Sequence, residues 1–337
     1  MRFISFTDKG QRLAAVLARE LGGSYCRCGE GVALDDWTRE GFERGEDLVF
    51  VGAVGIAVRA VAPYVVHKAQ DPAVVVVDEC ALHAVSLLSG HLGGANELAR
   101  RVACACGAEP VITTATDCNG VFAVDSWAAS QGCVIANPGR IKSVSAKLLS
   151  GDEVLVACEL PVDGVTPDGV AAVSPGELAG RKPDVVVGWH DDVAQDVLYI
   201  VPRIATLGMG CRRGVPFEVI EERFAGFCAA RDVSPLAIRQ VCSIDLKASE
   251  RGLLSFCEAH GWSLETFSAE QLAAVEGSFT TSPFVAKTVG VDNVCERAAV
   301  LGSRGALACK KDAGNGVTFA LAVSPCSLRW PEREGVG

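Results

Sequence analysis

The sequence has few aromatic residues, no long apolar run and no Cys-x-x-Cys pair. Aromatic side chains make up 6% of the 337 residues, which leaves little material for a surface that stacks nucleic-acid bases. The formal net charge of −10 would also repel nucleic acid and anionic membranes. The longest apolar stretch, residues 51–66, contains Arg59 and Pro63 and is shorter than the roughly 20 residues of a membrane helix. We therefore expect no nucleic-acid partner and no membrane span.

Cysteines are numerous, but their arrangement matches neither a disulfide framework nor a zinc site. There are 15 of them, an odd number, and the spacing of Cys26-x-Cys28 and Cys104-x-Cys106 is wrong for a zinc ribbon. The N-terminus also lacks the basic and then apolar segment of a secretory signal. We expect a cytoplasmic protein with reduced thiols, most of which act as small buried apolar side chains.

What the chain does contain is an alternation of short apolar strands with helical segments, over a length typical of about two domains. In the first part, the pattern predicts a helix at residues 95–105 and strands at residues 2–6, 47–51, 73–77, 84–88 and 110–114. The pattern returns with a strand at 203–207, a loop at 208–214 and a helix at 217–228. This alternation predicts two α/β domains with mixed or mainly parallel sheets flanked by helices.

The residues between these two parts are less regular and predict a small middle module. They include a helical segment at 141–149, short strands at 154–158 and 184–187, and a turn-rich Pro-Asp-Gly sequence at 167–169. The predicted organisation is an N-terminal α/β domain, a middle module or insertion, a C-terminal α/β domain and a flexible tail, at residues 1–125, 126–201, 202–326 and 327–337.

The densest group of polar residues follows three predicted strands of the N-terminal part. Because the carboxyl ends of parallel strands meet at one edge of a sheet, we expect these residues to converge. The catalytic candidates are His91, Asp78, Glu79 and Glu97. The substrate-binding candidates of this group are Ser89, Gly90, Gly93, Gly94, Asn96, Thr113, Thr114 and Asp117.

His91 is the candidate general base of this group, because an imidazole accepts a proton near neutral pH and the neighbouring glycines permit a close approach. We expect Asp78 or Glu79 to orient the imidazole. Backbone amides near Gly93 and Gly94, at a helix N-terminus, are expected to receive a carbonyl oxygen.

Other assignments for the same residues stay open. Glu97 is a competing base, although a helix N-terminus should keep it ionised. Ser89 is disfavoured as a nucleophile because no Gly-x-Ser-x-Gly motif is present. No compact metal-ligand spacing occurs, so we expect no metal bound by the protein itself. The serines and threonines of the group are also the residue types that cap helices and close turns.

A second polar group lies in the predicted loop at residues 208–214. Backbone amides before a helix and the guanidinium groups of Arg212 and Arg213 predict an anion-binding loop. Its glycine spacing matches neither a dinucleotide fingerprint nor a Walker A loop, which disfavours a nucleotide-dependent enzyme. Surface arginines in a first helical turn are the plainer alternative. The substrate-binding candidates here are Gly208, Gly210, Cys211, Arg212, Arg213, Ser243 and Lys247.

These motifs resemble the cobalt-precorrin-5A hydrolase family of anaerobic cobalamin synthesis, over nearly the whole chain. The family has a glycine-arginine turn after the Asp-Glu pair, where this chain has Cys80-Ala-Leu-His83. The motifs that carry the resemblance are residues 71–79, 87–99, 110–117, 208–214, 243–247, 267–272 and 294–299, together with Lys310.

The resemblance implies that water opens the δ-lactone of a cobalt-bound tetrapyrrole and that acetaldehyde leaves, which gives cobalt-precorrin-5B. The cobalt arrives with this substrate, so no separate cofactor is implied. Acetate and propionate groups on the substrate would account for basic clusters on an acidic protein. Neighbouring cobalamin-pathway enzymes and a second copy of the chain are further expected partners. The alternative is a non-catalytic tetrapyrrole carrier or assembly partner, because the C-terminal half resembles a domain that also occurs alone in the aerobic pathway.

Overall fold

The computed structural model describes residues 1–67, 70–191, 196–282, 287 and 290–331. It divides into two compact units. Unit 1 comprises Met1–Ser130 and Ile141–Glu153, and unit 2 comprises Gln131–Arg140 and Val154–Gly337. Each unit contains at least one sheet flanked by helices, so the predicted fold class is confirmed. The domain boundaries proposed from the sequence stay a prediction, and the end of the predicted tail, from residue 332 onward, lies outside the described residues.

Unit 1 is built on a six-stranded sheet with the order β2-β1-β3-β4-β5-β6. Strands β1 to β4 are parallel, β5 is antiparallel to β4, and β6 is parallel to β5. Strands β5 and β6 therefore end at the edge of the sheet opposite the one where β1 to β4 end. The strands are β1 (Arg2–Ser5), β2 (Ser24–Arg27), β3 (Leu48–Val51), β4 (Val74–Val77), β5 (His83–Leu88) and β6 (Glu109–Val111).

Helices cover both faces of this sheet, because its strands are apolar on both sides. Phe3, Val49 and Val75 pack with α1 and α4 on one face, and Ile4 and Phe50 pack with α2 and α3 on the other. The helices of unit 1 in the described residues are α1 (Asp8–Leu21), α2 (Leu34–Arg44), α3 (Val54–Val61), α4 (Ala95–Cys106), α5 (Ala115–Cys118), α6 (Val124–Ser130) and α7 (Ile141–Leu149). Within the part of the chain that the structure describes, no helix is both long and apolar enough to cross a membrane.

Unit 2 contains two five-stranded sheets. The first, which we call the middle sheet, has the order β10-β8-β11-β12-β7. Its strands β10, β8, β11 and β12 are parallel, whereas β7 is antiparallel to β12. The strands are β7 (Cys133–Ile135), β8 (Val154–Cys158), β10 (Val170–Val173), β11 (Val185–Val187) and β12 (Leu198–Pro202), and the short strands β9 (Val162–Asp163) and β18 (Leu328–Arg329) pair separately.

The second sheet of unit 2, the C-terminal sheet, has the order β15-β14-β13-β17-β16. Strands β13 to β15 are parallel, and β17 is antiparallel to both β13 and β16. The strands are β13 (Ala205–Cys211), β14 (Ile238–Ile244), β15 (Ser263–Phe267), β16 (Ala306–Gly314) and β17 (Val317–Val323). The helices are α8 (Phe217–Arg231), α9 (Arg251–His260), α10 (Ala269–Ala273) and α11 (Cys295–Ser303).

Most of the predicted anion-binding loop at 208–214 is strand, so that prediction is wrong in its geometry. Strand β13 runs on to Cys211, and Gly208 and Gly210 pair with residues of β17. A Cβ on Gly208 would lie 1.8 Å from the carbonyl oxygen of Cys295 in α11. The Gly208 position therefore serves the close packing of α11 on the sheet, and its backbone takes part in strand pairing.

This packing predicts that Gly208→Ala destabilises the protein. Because helix α11 must shift to admit the methyl group, we expect a loss of about 1–3 kcal/mol in the free energy of unfolding. Gly226→Ala is the matched control, since Gly226 lies in α8 with open space around its Cβ position and should gain about 0.5–1 kcal/mol. Thermal unfolding followed by circular dichroism measures both changes, and an unchanged Tm for Gly208→Ala would contradict the packing role.

Candidate functional site

The candidate site of unit 1, the His91 cluster, lies at the sheet edge where β5 and β6 end. Residues 89–94 connect β5 to α4, and residues 112–114 connect β6 to α5. Because β5 and β6 are parallel neighbours, the two connections meet at this edge. The cluster comprises His91, Asn96, Arg100, Thr114, Thr116, Asp117 and Ser126, the last contributed by α6.

The imidazole of His91 is held by polar groups at both ring nitrogens. Its Nδ1 lies 2.5 Å from the Ser126 hydroxyl, and its Nε2 lies 3.0 Å from the Thr116 hydroxyl. A carboxylate oxygen of Asp117 is 3.5 Å from Nε2. The His91 side chain is 18% exposed, which leaves it accessible from one side. An ionised Asp117 favours the tautomer with the proton on Nε2, and Nδ1 is then the acceptor.

The Asp117 carboxylate is the centre of the cluster. It accepts hydrogen bonds from the Thr114 hydroxyl at 2.5 Å, from Arg100 at 2.8 Å and from the Asn96 amide at 3.1 Å. Burial acts to raise the pKa of Asp117, but the bonds from Thr114 and Arg100 and the neighbouring His91 outweigh it, so the pKa lies below its ordinary value. Asp117 is therefore an ionised group 3.5 Å from Nε2 of His91, next to the Thr116 hydroxyl that is bonded to this nitrogen.

Glycines shape the turn before α4 rather than opening it to a ligand. A Cβ on Gly93 would lie 2.3 Å from the Cβ of Ser89, and a Cβ on Gly90 would lie 2.7 Å from Oδ1 of Asn96. Ser89 has a positive φ of 60°, and its buried hydroxyl has no hydrogen-bond partner among the described residues. The hydroxyls paired with His91 thus belong to Ser126 and Thr116, and Ser89 has no recorded contact that would make it a nucleophile.

The helix-start amides do not form the predicted receptor for a carbonyl oxygen. The amide of Gly94 donates to the carbonyl oxygen of His91 at 2.9 Å. The next two amides, of Ala95 and Asn96, donate to carbonyl oxygens at the start of the turn. The prediction is wrong for Gly94, because its amide already donates a hydrogen bond to a carbonyl oxygen within the same turn.

The prediction that Asp78 or Glu79 orients His91 is also wrong. Both residues follow β4, at the opposite edge of the sheet, and the six residues of β5 span about 20 Å between the two edges. The Asp78 carboxylate accepts backbone hydrogen bonds from residues 80, 82 and 83, which closes the turn before β5. Glu79 accepts a hydrogen bond from the Thr7 hydroxyl at 2.6 Å.

Two further candidates lie near the cluster without contacting His91. Glu97 is exposed and lies 3.8 Å from Arg100, which matches a first-turn residue in solvent. Thr113 is exposed next to Thr114. The competing-base assignment for Glu97 therefore has no geometric support.

The second candidate site, the cationic edge, lies where β13 and β14 end in unit 2. We define it as Arg212, Arg213 and Lys247, and the parallel strands place them at one edge, as predicted. Both arginines are exposed. Lys247 lies 2.9 Å from Glu250, whose other oxygen accepts the Gly214 amide at 3.1 Å. These two contacts lower the pKa of Glu250 and hold the turn after β13.

The remaining C-terminal candidates are structural. Ser243 is fully buried, and its hydroxyl donates to the carbonyl oxygen of Met209 at 2.7 Å. Burial raises the pKa of the Cys211 thiol, which lies in β13. The substrate-binding prediction is therefore wrong for Ser243 in this structure, because its hydroxyl faces the neighbouring strand.

Sequence analysis missed three members of the His91 cluster. Arg100 follows Asn96 by one helical turn, so helical spacing could have placed both beside Asp117. Thr116 precedes Asp117 within a motif already singled out. No sequence signal connects Ser126 with His91, since α6 reaches the site only through the folding of unit 1. Among the described residues, no group of three or more histidine, cysteine, aspartate or glutamate side chains is arranged to hold a metal ion.

Three family models match successive parts of the chain. They are described as Cobalamin synthesis G N-terminal, at residues 36–117, Cobalamin biosynthesis central region, at residues 122–202, and Cobalamin synthesis G C-terminus, at residues 205–322.

Similar proteins have also been characterised or solved. The Cobalt-precorrin-5A hydrolase of Salmonella typhimurium is 37% identical over 295 residues, covering 85% of this chain and 84% of that protein. The Cobalt-precorrin-5A hydrolase of Priestia megaterium is 33% identical over 302 residues, covering 84% and 80%. A cobalamin biosynthesis protein G homologue from Sulfolobus solfataricus matches with a TM-score of 0.41 and 20% identity, covering 96% of both chains.

The lowered pKa of Asp117 predicts a pH-dependent contribution to stability. Because the folded-state pKa lies below the ordinary value of 3.8, the ionised carboxylate stabilises the fold above about pH 4, and this contribution disappears as the pH falls through the folded-state pKa. Asp117→Asn should therefore lower Tm near about pH 7, and the difference from the natural protein should shrink as the pH falls through the folded-state pKa of Asp117. Asp152→Asn, at an exposed carboxylate bonded to Ser150, is the control. A pH-independent Tm difference would contradict the role of the charge.

Proposed function

Because the chain belongs to the cobalt-precorrin-5A hydrolase family, we propose that it opens the δ-lactone of cobalt-precorrin-5A with water and releases acetaldehyde. The product is cobalt-precorrin-5B. The observation that carries the proposal is the His91 cluster, in which a partly exposed imidazole lies 3.5 Å from the equally exposed, ionised carboxylate of Asp117. The cobalt comes with the substrate, and we propose that no separate cofactor takes part.

In this proposal His91 is the general base for lactone opening. With Asp117 beside Nε2, the lone pair at Nδ1 faces the Ser126 hydroxyl. A water molecule that attacks the lactone carbonyl passes its proton to Nδ1, either through the Ser126 hydroxyl or after that hydroxyl rotates away. The positive charge that develops on the imidazole is stabilised by Asp117, whose own charge is held by Arg100.

Opening of the lactone leaves a hydroxyl on the two-carbon fragment. Acetaldehyde forms when this hydroxyl loses its proton, its carbon becomes a carbonyl carbon, and the carbon-carbon bond to the macrocycle breaks. The bonding electron pair stays on the macrocycle, where the conjugated ring and its cobalt accept it. The protein must therefore hold the macrocycle during two successive bond cleavages.

The cationic edge is the proposed contact for the acidic side chains of the substrate. Arg212 and Arg213 are exposed, and each guanidinium can bind a carboxylate through two hydrogen bonds. The Lys247 ammonium adds a third charge at the same edge, although Glu250 compensates part of it. Local positive charge of this kind is what an acidic protein requires to bind an acidic substrate.

A carrier without turnover is the alternative function, but the curated relatives are named as hydrolases, which favours the enzyme. We propose that the reaction takes place in the cytoplasm, because the cysteines are odd in number and form no Cys-x-x-Cys pair. All 15 are free thiols, and burial raises the pKa of Cys158 to about 11, as expected for an unreactive packing residue. Neighbouring pathway enzymes and a second copy of the chain remain proposed partners.

The first test of the function is turnover by the purified protein. We expect acetaldehyde to be released from cobalt-precorrin-5A without added NAD(P), ATP or metal, and the product to be cobalt-precorrin-5B by mass spectrometry. A strict requirement for any of these additions would contradict the cofactor-independent mechanism. Binding of the substrate without turnover would support the carrier instead.

His91→Gln tests the assignment of the base. We expect kcat to fall by about 100-fold to 10,000-fold, the usual contribution of general acid-base catalysis, with KM nearly unchanged. His83→Gln, at an exposed histidine on the opposite edge of the sheet, should keep normal kcat.

The double variant Arg212→Ala with Arg213→Ala should raise KM instead, by about tenfold or more, because charged hydrogen-bond partners are lost.

Ser126→Ala separates two chemical routes at the same histidine. If water is the nucleophile, the variant should retain much more activity than His91→Gln, because water can occupy the place of the hydroxyl. A loss as large as that of His91→Gln would assign the attacking oxygen to Ser126. Normal kcat and an unchanged pH profile in His91→Gln would exclude His91 as the base.

A further inference from the structure

A second histidine lies between carboxylates at an edge of the middle sheet. From β8 the chain passes to β10 on one side, and from β11 it passes to β12 on the other, so the order of the sheet reverses between β8 and β11. The crevice outside the carboxyl ends of such strands is the usual place for a ligand in an open α/β sheet. Glu159 follows β8 directly, and residues 188–190 follow β11.

Within the described part of the chain, the imidazole of His190 is hydrogen-bonded at Nδ1. Its Nδ1 lies 2.9 Å from the backbone carbonyl oxygen of Asp232 and 3.2 Å from the carboxylate of the same residue. Both partners are acceptors, so Nδ1 carries a proton, and in the neutral imidazole the lone pair is then on Nε2. Among the described residues, the carboxylate recorded near Nε2 is Glu159, at 3.7 Å, beyond hydrogen-bond distance. The side chain is 38% exposed and stacks on the ring of Trp189.

The other histidines with described contacts do not combine these features. Both ring nitrogens of His91 have hydrogen-bond partners. Nε2 of His260 is bonded to Glu221, and its ring stacks on Trp262. The ring of His83 lies 3.9 Å from Asp78, which is too far for a hydrogen bond that would fix the tautomer.

We propose that His190 binds, through Nε2, the cobalt ion carried by the tetrapyrrole substrate. This inference rests on the proposed function, since it concerns how the same substrate is held. The four ring nitrogens of a tetrapyrrole occupy the equatorial positions of the metal, which leaves axial positions for another donor. A neutral imidazole is a common ligand for transition metals, and a hydrogen bond at its other nitrogen fixes the ring as in known metal sites. The bond is dative, so no proton or redox partner is required.

The surroundings of His190 suit a cobalt ion. The Glu159 carboxylate lies against the backbone of Gly188. A Cβ atom at position 188 would be 2.5 Å from an oxygen of Glu159, so the glycine leaves room for the carboxylate at this place. Asp232 supplies a second carboxylate on the far side of the ring. Two carboxylates beside one imidazole favour a bound cation, and hydrogen bonding to Asp232 strengthens the imidazole as a donor.

The test is electron paramagnetic resonance of the full chain with cob(II)yrinic acid, a cobalt(II) corrinoid that has carboxylate side chains and no nitrogenous base. A nitrogen in the axial position splits the high-field cobalt lines into triplets, and labelling of the histidines with 15N converts these to doublets. We expect both patterns with the natural protein. His190→Gln should lose the nitrogen splitting, whereas His83→Gln should keep it.

The outcomes separate this inference from the proposed function. Loss of the splitting in His190→Gln, with the same circular dichroism spectrum as the natural protein, supports cobalt ligation. Splitting that persists in His190→Gln, its absence in the natural protein, or failure of the corrinoid to bind overturns it. Acetaldehyde release by the natural protein is measured independently, so normal turnover without nitrogen splitting would overturn the ligation and leave the hydrolase function standing.

Discussion

The antiparallel pairing of β5 with β4 is the constraint on which the His91 cluster depends. Because β5 and β6 run against the first four strands, their carboxyl ends lie at the other edge of the sheet. The turn after β5 and the turn after β6 therefore meet, and Asp117 comes next to His91. The same reversal separates His91 from Asp78 and Glu79, although these acids are nearer to it in sequence.

Hydrogen bonds and a neighbouring positive charge keep the Asp117 carboxylate ionised beside His91. A carboxylate that is mostly buried would gain a proton more easily, but hydrogen bonds from Arg100, Thr114 and Asn96 keep it ionised. The negative charge of Asp117 therefore lies 3.5 Å from Nε2 of His91. His190 and Asp232 form a comparable pair, because Asp232 holds Nδ1 of the imidazole. In our proposal Nε2 is then the nitrogen that binds the ligand.

Short apolar segments predicted many of the strands and helices, including β4, α4 and α7, since local periodicity reports which faces are buried. The prediction was wrong where a local motif had two physical explanations. The glycines at 208 and 210 suggested a loop around an anion, yet they lie in β13, where α11 and β17 approach the backbone closely. Close packing can be distinguished from ligand binding only when the elements that contact these glycines are known. These elements, α11 and β17, are distant from the glycines in sequence.

The sequence by itself determined the α/β class, the family and the identity of His91 as the central histidine of its motif. These depend on local patterns of apolar residues and on contiguous motifs. The tertiary structure alone decided that Asp117 lies beside Nε2 of His91, that Ser126 from α6 lies at Nδ1, and that His190 lies between Glu159 and Asp232. Such pairings depend on strand direction and on contacts between distant segments, which a linear pattern of residues does not encode.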